Sequence, residues 1–163
     1  MTRKLSVYLD TSVISFLYAE DVPDLRRITQ AFFEDYVRKE RYLVHISGVV
    51  IQEIQKTRDT AKRETLLEVT RRDPIRILPL VGEADRLAEV YVIEGVVPHS
   101  KREDAQHIAL ATYHQMDALL SWNFKHLANI QKQVLVRSIN EREGYFYPLT
   151  LTNPMEVMYE DRY

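Results

Sequence analysis

Short apolar runs alternate with longer stretches of helical periodicity along this chain, and the alternation predicts its architecture. Runs with the length and apolar content of strands occur at positions 5–9, 42–46, 75–80, 117–121 and 133–136. Segments with apolar residues at helical spacing occur at positions 24–41, 48–57, 59–72, 82–94 and 100–115. Strands that alternate with helices form a parallel sheet with helices on both faces. We therefore predict an α/β fold with a central parallel sheet of about five strands.

The first apolar run ends abruptly in polar side chains. Residues 7–9 are followed by the carboxylate of Asp10 and the hydroxyls of Thr11 and Ser12. A run of this kind is typical of a buried, central strand, and ligands in open α/β sheets bind beyond the carboxyl ends of strands. Asp10 can equally cap the next helix, because a carboxylate accepts hydrogen bonds from unpaired helical N–H groups. Both interpretations stay open on this stretch alone.

The pattern weakens toward the end of the chain. Residues 140–163 are rich in tyrosine and interrupted by Pro148 and Pro154. We expect one domain over residues 1–139, followed by an irregular tail, residues 140–163, that packs on it.

Composition narrows the function classes. The 163 residues include no cysteine, which excludes disulfides, thiol nucleophiles and cysteine metal sites and fits a reducing cytoplasm. No segment approaches the roughly 20 apolar residues of a membrane helix. The net charge is −2, so a polyanion partner would have to be held by local cations or by a metal ion. No glycine-rich phosphate-binding motif is present among the four glycines.

Glu53 lies on the apolar side of a predicted helix. Val49, Val50 and Ile54 are its neighbours at i−4, i−3 and i+1. A carboxylate in such surroundings is costly unless another group pairs with it. A functional carboxylate and an ordinary surface glutamate are both consistent with this pattern.

Asp104 lies near the start of another predicted helix, in line with Ile108 and Ala111 at i+4 and i+7. Ser100 and Glu103 fit the spacing of a capping box, which gives Glu103 a structural role. An acid near a helix N-terminus gains only about 0.3–1 kcal/mol from the helix dipole. That gain is too small to explain a carboxylate on the buried side, so we predict a functional role for Asp104.

The fourth strand run adds one further candidate. Asn123 follows the run at 117–121 and belongs by position to the same cluster, although it is neutral, whereas Asp117 precedes the run and should be structural. Carboxylates forced together repel one another unless a cation neutralises them. Oxygen ligands of this kind favour Mg²⁺ or Mn²⁺.

The histidines do not have the spacing of a zinc site. His107 and His114 lie seven positions apart on one predicted helix. We expect His107 to be a satisfied, half-buried histidine; a helper role beside Asp104, one turn earlier, is the alternative.

Four stretches of the chain together resemble the PIN-domain nucleases, and in particular the VapC-like toxins of type II toxin–antitoxin pairs. They are residues 7–12, Glu53, residues 104–111 and residues 120–124. The order and placement of these motifs are more specific than any one of them. The resemblance extends over residues 5–137 and leaves out the tail.

The resemblance implies a three-layer α/β/α sandwich and an acidic pocket that binds Mg²⁺ or Mn²⁺. It implies hydrolysis of RNA phosphodiester bonds, with Asp10, Glu53 and Asp104 as metal-binding and catalytic acids. Asn123 occupies the position of a fourth acid in many members, and its amide removes one negative charge. A small antitoxin, a homodimer and a cytoplasmic location are further expectations from the resemblance.

Other polar residues beside the motifs have supporting roles in this interpretation. Thr11 or Ser12 would hold a water molecule or the metal through a hydroxyl, and Ser121 would support them. The RNA backbone would be positioned by cations that flank the motifs, namely Lys101, Arg102, Lys125 and His126. The competing hypothesis is a catalytically weak PIN-like module that binds RNA or protein.

Overall fold

A computed structural model describes residues 3–159 of the chain. Its strands are β1 (Ser6–Leu9), β2 (Leu43–Ser47), β3 (Ile75–Leu78), β4 (Ala118–Leu120) and β5 (Thr150–Thr152). Its α-helices are α1 (Thr11–Ser15), α2 (Pro23–Phe32), α3 (Gly48–Gln55), α4 (Thr60–Arg72), α5 (Gly82–Ile93), α6 (Arg102–Tyr113) and α7 (Ile130–Arg142). None of the helices in residues 3–159 has the length and apolar content needed to span a bilayer.

The five strands form one fully parallel sheet in the order β3-β2-β1-β4-β5. Tyr8 in the central strand is opposite His45 on one side and Leu119 on the other. The predicted parallel sheet and the central position of the first strand are therefore confirmed. Since all strands point the same way, their carboxyl ends lie along one edge of the sheet.

Both faces of the sheet are covered by helices. Val7, Tyr8 and Leu9 point alternately to opposite faces, yet each is at most 1% exposed. A strand buried on both sides requires a helical layer on each. The molecule is thus a three-layer α/β/α sandwich, as the resemblance implied.

The predicted fifth strand at 133–136 is wrong, because these residues lie inside α7. Asn129 begins that helix by accepting a hydrogen bond from the Lys132 backbone N–H. Val134 is 64% exposed whereas Val136 is buried, so the apolar run does not lie on one buried surface. Periodicity alone cannot separate so short an apolar run from part of a helix.

The fifth strand comes instead from the segment expected to be an irregular tail. Residues 150–152 pair with β4, and Leu151 at their centre is buried. The expectation of an irregular tail is therefore wrong for β5 and for the end of α7, which crosses position 140. Residues 154–157 form a 3₁₀-helix, and only residues 158–159 follow it without strand or helix. The Tyr42 hydroxyl donates to the Val157 carbonyl and the Tyr36 hydroxyl to the Tyr159 carbonyl, so this segment packs on the domain. Positions 160–163 lie outside the described residues.

The start of α6 also differs from the prediction. Residues 99–101 form a turn of 3₁₀-helix, and α6 begins at Arg102 without a side-chain cap. The predicted capping box of Ser100 and Glu103 is therefore not formed. Glu103 instead lies 3.5 Å from the ammonium of Lys56, the residue that follows α3. This contact joins α3 and α6 beside the carboxyl edge of the sheet.

Candidate active site at the carboxyl ends of the strands

Asp10 follows β1 directly and is both a helix cap and a member of the predicted cluster. Its Oδ1 accepts a hydrogen bond from the Val13 backbone N–H at 3.3 Å, so it caps α1. The same carboxylate accepts from the hydroxyl of Ser12 at 2.6 Å and from that of Ser121 at 2.5 Å. Burial raises the pKa of Asp10, and these hydrogen bonds oppose the shift. From this one position, Asp10 can therefore cap α1 and also belong to the acidic cluster.

The two serines are fixed by the loop after β4. Ser12 Oγ accepts from the Trp122 backbone N–H at 2.9 Å, and Ser121 Oγ accepts from the Asn123 backbone N–H at 2.9 Å. Because each oxygen accepts from the backbone, each hydroxyl proton is available to Asp10. The loop thereby holds a buried carboxylate in one orientation.

Glu53 projects from α3 toward the same edge. Its Oε1 accepts from the Thr11 hydroxyl at 2.8 Å and from His107 Nε2 at 2.6 Å. Burial opposes the ionisation of Glu53, but the hydrogen bond and charge of His107 outweigh it, so its pKa is lowered. Glu53 is accordingly an ionised carboxylate with two fixed donors.

His107 is the main residue whose role sequence analysis missed. It is 1% exposed rather than half-buried, and its Nδ1 lies 2.6 Å from the Tyr8 hydroxyl. The Tyr8 hydroxyl also lies 2.7 Å from Ser47 Oγ. Burial lowers the pKa of His107, but the contact with Glu53 and the charges of nearby acids raise it more. Its spacing from Asp104 placed His107 near the site, but no local pattern indicated the contact with Glu53 on another helix.

Asp104 lies in the first turn of α6 and faces the other acids. Burial raises its pKa to about 6, with further contributions from the charges of Asp10 and Glu53. Asn123 Nδ2 donates to Asp104 Oδ2 at 3.3 Å, while Asn123 Oδ1 accepts from the His126 backbone N–H at 3.0 Å. The amide oxygen of Asn123 is thus engaged within its own loop, and its nitrogen points toward the acids.

A cavity of about 280 Å³ opens on this cluster. Glu53, Asp104 and Asn123 line it, together with the cations Lys56 and Lys101. Asp10, at 4% exposure, lies below the surface and is not part of the lining. Lys56 was not predicted, although it caps the C-terminus of α3 three residues after Glu53. The cavity is therefore lined by both negatively and positively charged side chains.

No protein-family model matches this chain, and no curated protein matches it either. Solved structures do match. The sarcin–ricin-loop-cleaving toxin VapC20 of Mycobacterium tuberculosis superposes with a TM-score of 0.56 at 11% sequence identity, over 74% of this chain and 92% of its own. FitAcB of Neisseria gonorrhoeae superposes with a TM-score of 0.55 at 16% sequence identity, over 93% of this chain and 99% of its own. A chain of a toxin–antitoxin complex from Klebsiella pneumoniae superposes with a TM-score of 0.55 at 17% sequence identity, over 77% of this chain and 93% of its own.

The fold is PIN-like. In this PIN-like chain, the predicted acids come from three separate segments and reach one edge of the sheet. Residues 3–159 nevertheless contain no group of three or more Asp, Glu, His or Cys side chains arranged to hold a metal ion. The donor chemistry fits a hard cation, because the carboxylates that face the cavity supply only oxygen and carry excess negative charge. Mg²⁺ in particular binds through one or two carboxylates and keeps several water molecules.

Of the four cations predicted to bind RNA, one lines the cavity and three do not. Lys101 lines the cavity. Arg102 forms an ion pair with Glu89 on α5 and is not part of the lining. Lys125 and His126 lie on the loop after Asn123, outside the lining. Of the four, Lys101 is therefore best placed to reach a ligand in the cavity.

Proposed function

We propose that this chain is a metal-dependent endoribonuclease that acts as the toxin of a toxin–antitoxin pair. The observation that carries the proposal is that Asp10, Glu53 and Asp104 reach the same carboxyl edge of the sheet, where Glu53 and Asp104 line the cavity and Asp10 lies below its surface. Burial raises the pKa of Asp104 to about 6, and the charges of Asp10 and Glu53 raise it as well. A structural cluster gains nothing from such repulsion, whereas a divalent cation would offset it.

Asp10, Glu53 and Asp104 are the residues that would hold Mg²⁺ or Mn²⁺. When bound, such an ion lowers the pKa of a coordinated water molecule and offsets charge on a phosphate. Ser12 and Ser121 keep Asp10 in one orientation, and Thr11 and His107 do the same for Glu53. Pre-oriented carboxylates lose little freedom when they take up a ligand.

The lysines that line the cavity would contact the RNA backbone. Lys56 and Lys101 line the cavity together with Glu53 and Asp104, so a phosphate in the cavity would meet ammonium groups as well as acids. Lys56 also lies 3.5 Å from Glu103. Phosphate contacts of this kind position the chain of a nucleic acid without reading its sequence. The substrate is RNA in this proposal, and cleavage occurs where a phosphodiester reaches the acids.

The toxin role is proposed from the structural neighbours. They include VapC20 and a toxin–antitoxin complex, and they share the fold at identities of 11% and 17%. An antitoxin that blocks the cavity with an arginine would meet Glu53 and Asp104 in a charge-assisted contact. A homodimer in the cytoplasm belongs to the same proposal.

Cleavage of a mixed RNA pool tests the activity. We expect cleavage with Mn²⁺ or Mg²⁺, none with EDTA, and a loss of at least about 100-fold for Asp104→Asn, in line with the removal of a catalytic electrostatic contact. Glu68→Gln is the matched control, because Glu68 is an exposed acid on α4 that pairs with Arg71 of the same helix. Cleavage that survives Asp104→Asn contradicts the proposal.

One observation favours a second candidate, a PIN-like module that binds RNA without cutting it. Asn123 brings no negative charge, and its amide oxygen accepts from the His126 backbone N–H. Purified protein that binds RNA yet leaves it intact under both metals supports this candidate over the nuclease.

A further inference from the structure

An aromatic ring stands exposed next to the candidate active site. Phe124 follows Asn123, whose amide donates to Asp104, and it is 50% exposed. Single exposed apolar side chains are ordinary on protein surfaces. What distinguishes Phe124 is the support beneath the ring, the rigidity of its loop and the charge around it.

The ring rests on an immobile aromatic base. Phe124 meets Trp122 edge-on, with ring centroids 6.0 Å apart and an interplanar angle of 64°. Trp122 in turn stacks on Phe16 at 6.2 Å and 13°, and its indole N–H donates to Thr29 Oγ1 at 2.9 Å. Because Trp122 is only 4% exposed, it supports Phe124 without competing for a ligand.

The loop that carries the ring is held by hydrogen bonds. Asn129 Nδ2 donates to the carbonyls of Phe124 and Lys125 at 2.9 and 2.8 Å. The Asn123 carbonyl accepts from the Leu127 and Ala128 backbone N–H groups at 3.1 and 2.8 Å. The backbone that carries the ring is therefore held in place before any ligand binds, which reduces the entropy lost on binding.

The surroundings of the loop are positively charged. The pKa of His126, two residues after the ring, is lowered by burial and by the charges of Lys125, Lys132 and Lys101. Lys125 directly follows Phe124 in the sequence, Lys101 lines the cavity, and the Lys132 ammonium donates to the Val96 carbonyl. Aromatic rings beside cations are the features with which proteins bind single-stranded nucleic acids, through base stacking and backbone attraction.

We propose that Phe124 is the platform on which an unpaired base of the RNA substrate stacks, so that this residue positions the RNA beside the acids. The inference rests on the proposed function and names a residue that positions its substrate. A base inside a duplex is already stacked between its neighbours and offers no face to the ring, whereas bases in loops and single strands do. Phe124 then positions the RNA, while the acids perform the chemistry.

Equilibrium binding tests the platform separately from cleavage. The Asp104→Asn variant, which leaves RNA intact under the proposal, is titrated with a labelled unstructured RNA and with a duplex of the same sequence. We expect Phe124→Ala in this background to weaken single-strand binding about 5- to 100-fold, as stacking energies imply. Phe124→Tyr should restore it, Phe124→Leu should not, and duplex binding should be unchanged.

Two further readouts make the test specific. Trp122 is the one tryptophan of the sequence, so its fluorescence should respond to RNA in the Phe124 protein and respond much less in Phe124→Ala. Phe146→Ala is the matched control: Phe146 is 77% exposed, and the next residue, Tyr147, bonds Asp117 at the opposite end of the sheet. We expect this control to bind like its parent.

The outcomes separate the two proposals. Phe124-dependent binding by a protein that never cleaves RNA overturns the nuclease and supports the platform. If the wild type cleaves RNA, and if Phe124→Ala has the same kcat/KM and the same RNA affinity as its parent, the platform is overturned and the nuclease is not. Equal losses in the alanine, leucine and tyrosine variants, or no RNA binding at all, also overturn the platform.

Discussion

His107 Nε2 lies 2.6 Å from Glu53 Oε1, and this contact connects the candidate site to the core of the sheet. On its other side, His107 Nδ1 meets the hydroxyl of Tyr8, which also reaches Ser47 at the end of β2. The orientation of a carboxylate at the cavity therefore depends on a buried tyrosine in the central strand. Polar networks of this kind fix one arrangement when every member is satisfied.

The Tyr8 and His107 side chains should be energetically coupled. His107→Ala leaves the hydroxyl of Tyr8 and the carboxylate of Glu53 without a shared partner, so we expect unfolding free energy to fall by about 1–3 kcal/mol. Tyr8→Phe should cost about 1 kcal/mol. In a double-mutant cycle measured by urea unfolding, we expect a coupling of at least about 0.5 kcal/mol. Additive losses contradict the network.

Asp104 should make stability depend on pH. Its folded pKa of about 6 lies above the ordinary value of 3.8, so between these values the folded protein holds more protons than the unfolded chain. Stability is therefore lost as pH rises through this window. We expect Asp104→Asn to stabilise the metal-free protein by about 1–2 kcal/mol at pH 7, after allowance for solvent screening. This gain should shrink toward pH 4.

Urea unfolding in EDTA at the two pH values measures this difference. A second acid variant, Glu68→Gln, controls for the loss of a surface charge, because Glu68 is 56% exposed at its side chain. A gain of the same size in Glu68→Gln, or a gain for Asp104→Asn that is larger at pH 4, would contradict the assignment.

A divalent metal ion should offset the repulsion among the acids and so raise the free energy of unfolding. Mn²⁺ at 100 times its dissociation constant should stabilise the wild type by about 2.7 kcal/mol. Asp10→Asn should lose this gain while it keeps the helix cap, since asparagine caps as well as aspartate. Thermal unfolding with and without Mn²⁺ measures both proteins. A gain in Asp10→Asn equal to that of the wild type places the metal elsewhere.

Asp117 should stabilise the opposite end of the sheet without affecting chemistry. It accepts from two nitrogens of Arg3 at 2.8 Å each, from the Tyr147 hydroxyl at 2.6 Å and from the Ser6 backbone N–H at 2.8 Å. The hydrogen bonds from Arg3 contribute most to its lowered pKa. Its contribution is thus present above the ordinary pKa and lost in acid. We expect Asp117→Asn to cost about 1–3 kcal/mol at pH 7.

Activity provides the check on Asp117. Folded Asp117→Asn should keep its kcat, and its stability should approach that of the wild type as pH falls below 4. A loss of kcat at full folding would place Asp117 in the site rather than at the sheet's amino end.

The sequence predicted the features that depend on local pattern. Asp10 was placed correctly because an apolar run ended in a carboxylate, and Asp117 because it preceded such a run. The order of strands, by contrast, depends on long-range pairing. Leu151 belongs to a strand of three residues, too short for alternation to identify, so the fifth strand was assigned to the apolar residues of α7 instead.

The candidate site was predicted where one element carries a distinctive pattern and missed where two elements meet. Asp104 was found from its position on the buried side of α6. His107 and Glu53 lie 54 positions apart on two different helices, so no sequence periodicity could predict their contact. Asn123 was placed correctly, but the direction of its amide depends on the backbone of His126, which only the folded loop reveals.

The Ser47–Tyr8–His107–Glu53 series has a consequence for how the sequence can drift. A substitution at one of these positions leaves its buried partner without a hydrogen bond. We therefore expect tolerated substitutions to occur at two or more of these positions together. Relatives with an aliphatic residue at position 107 should carry phenylalanine or another apolar residue at position 8. Their position 53 should remain acidic only where another donor has taken the place of the imidazole. The four positions should therefore be inherited together, as one unit of covariation.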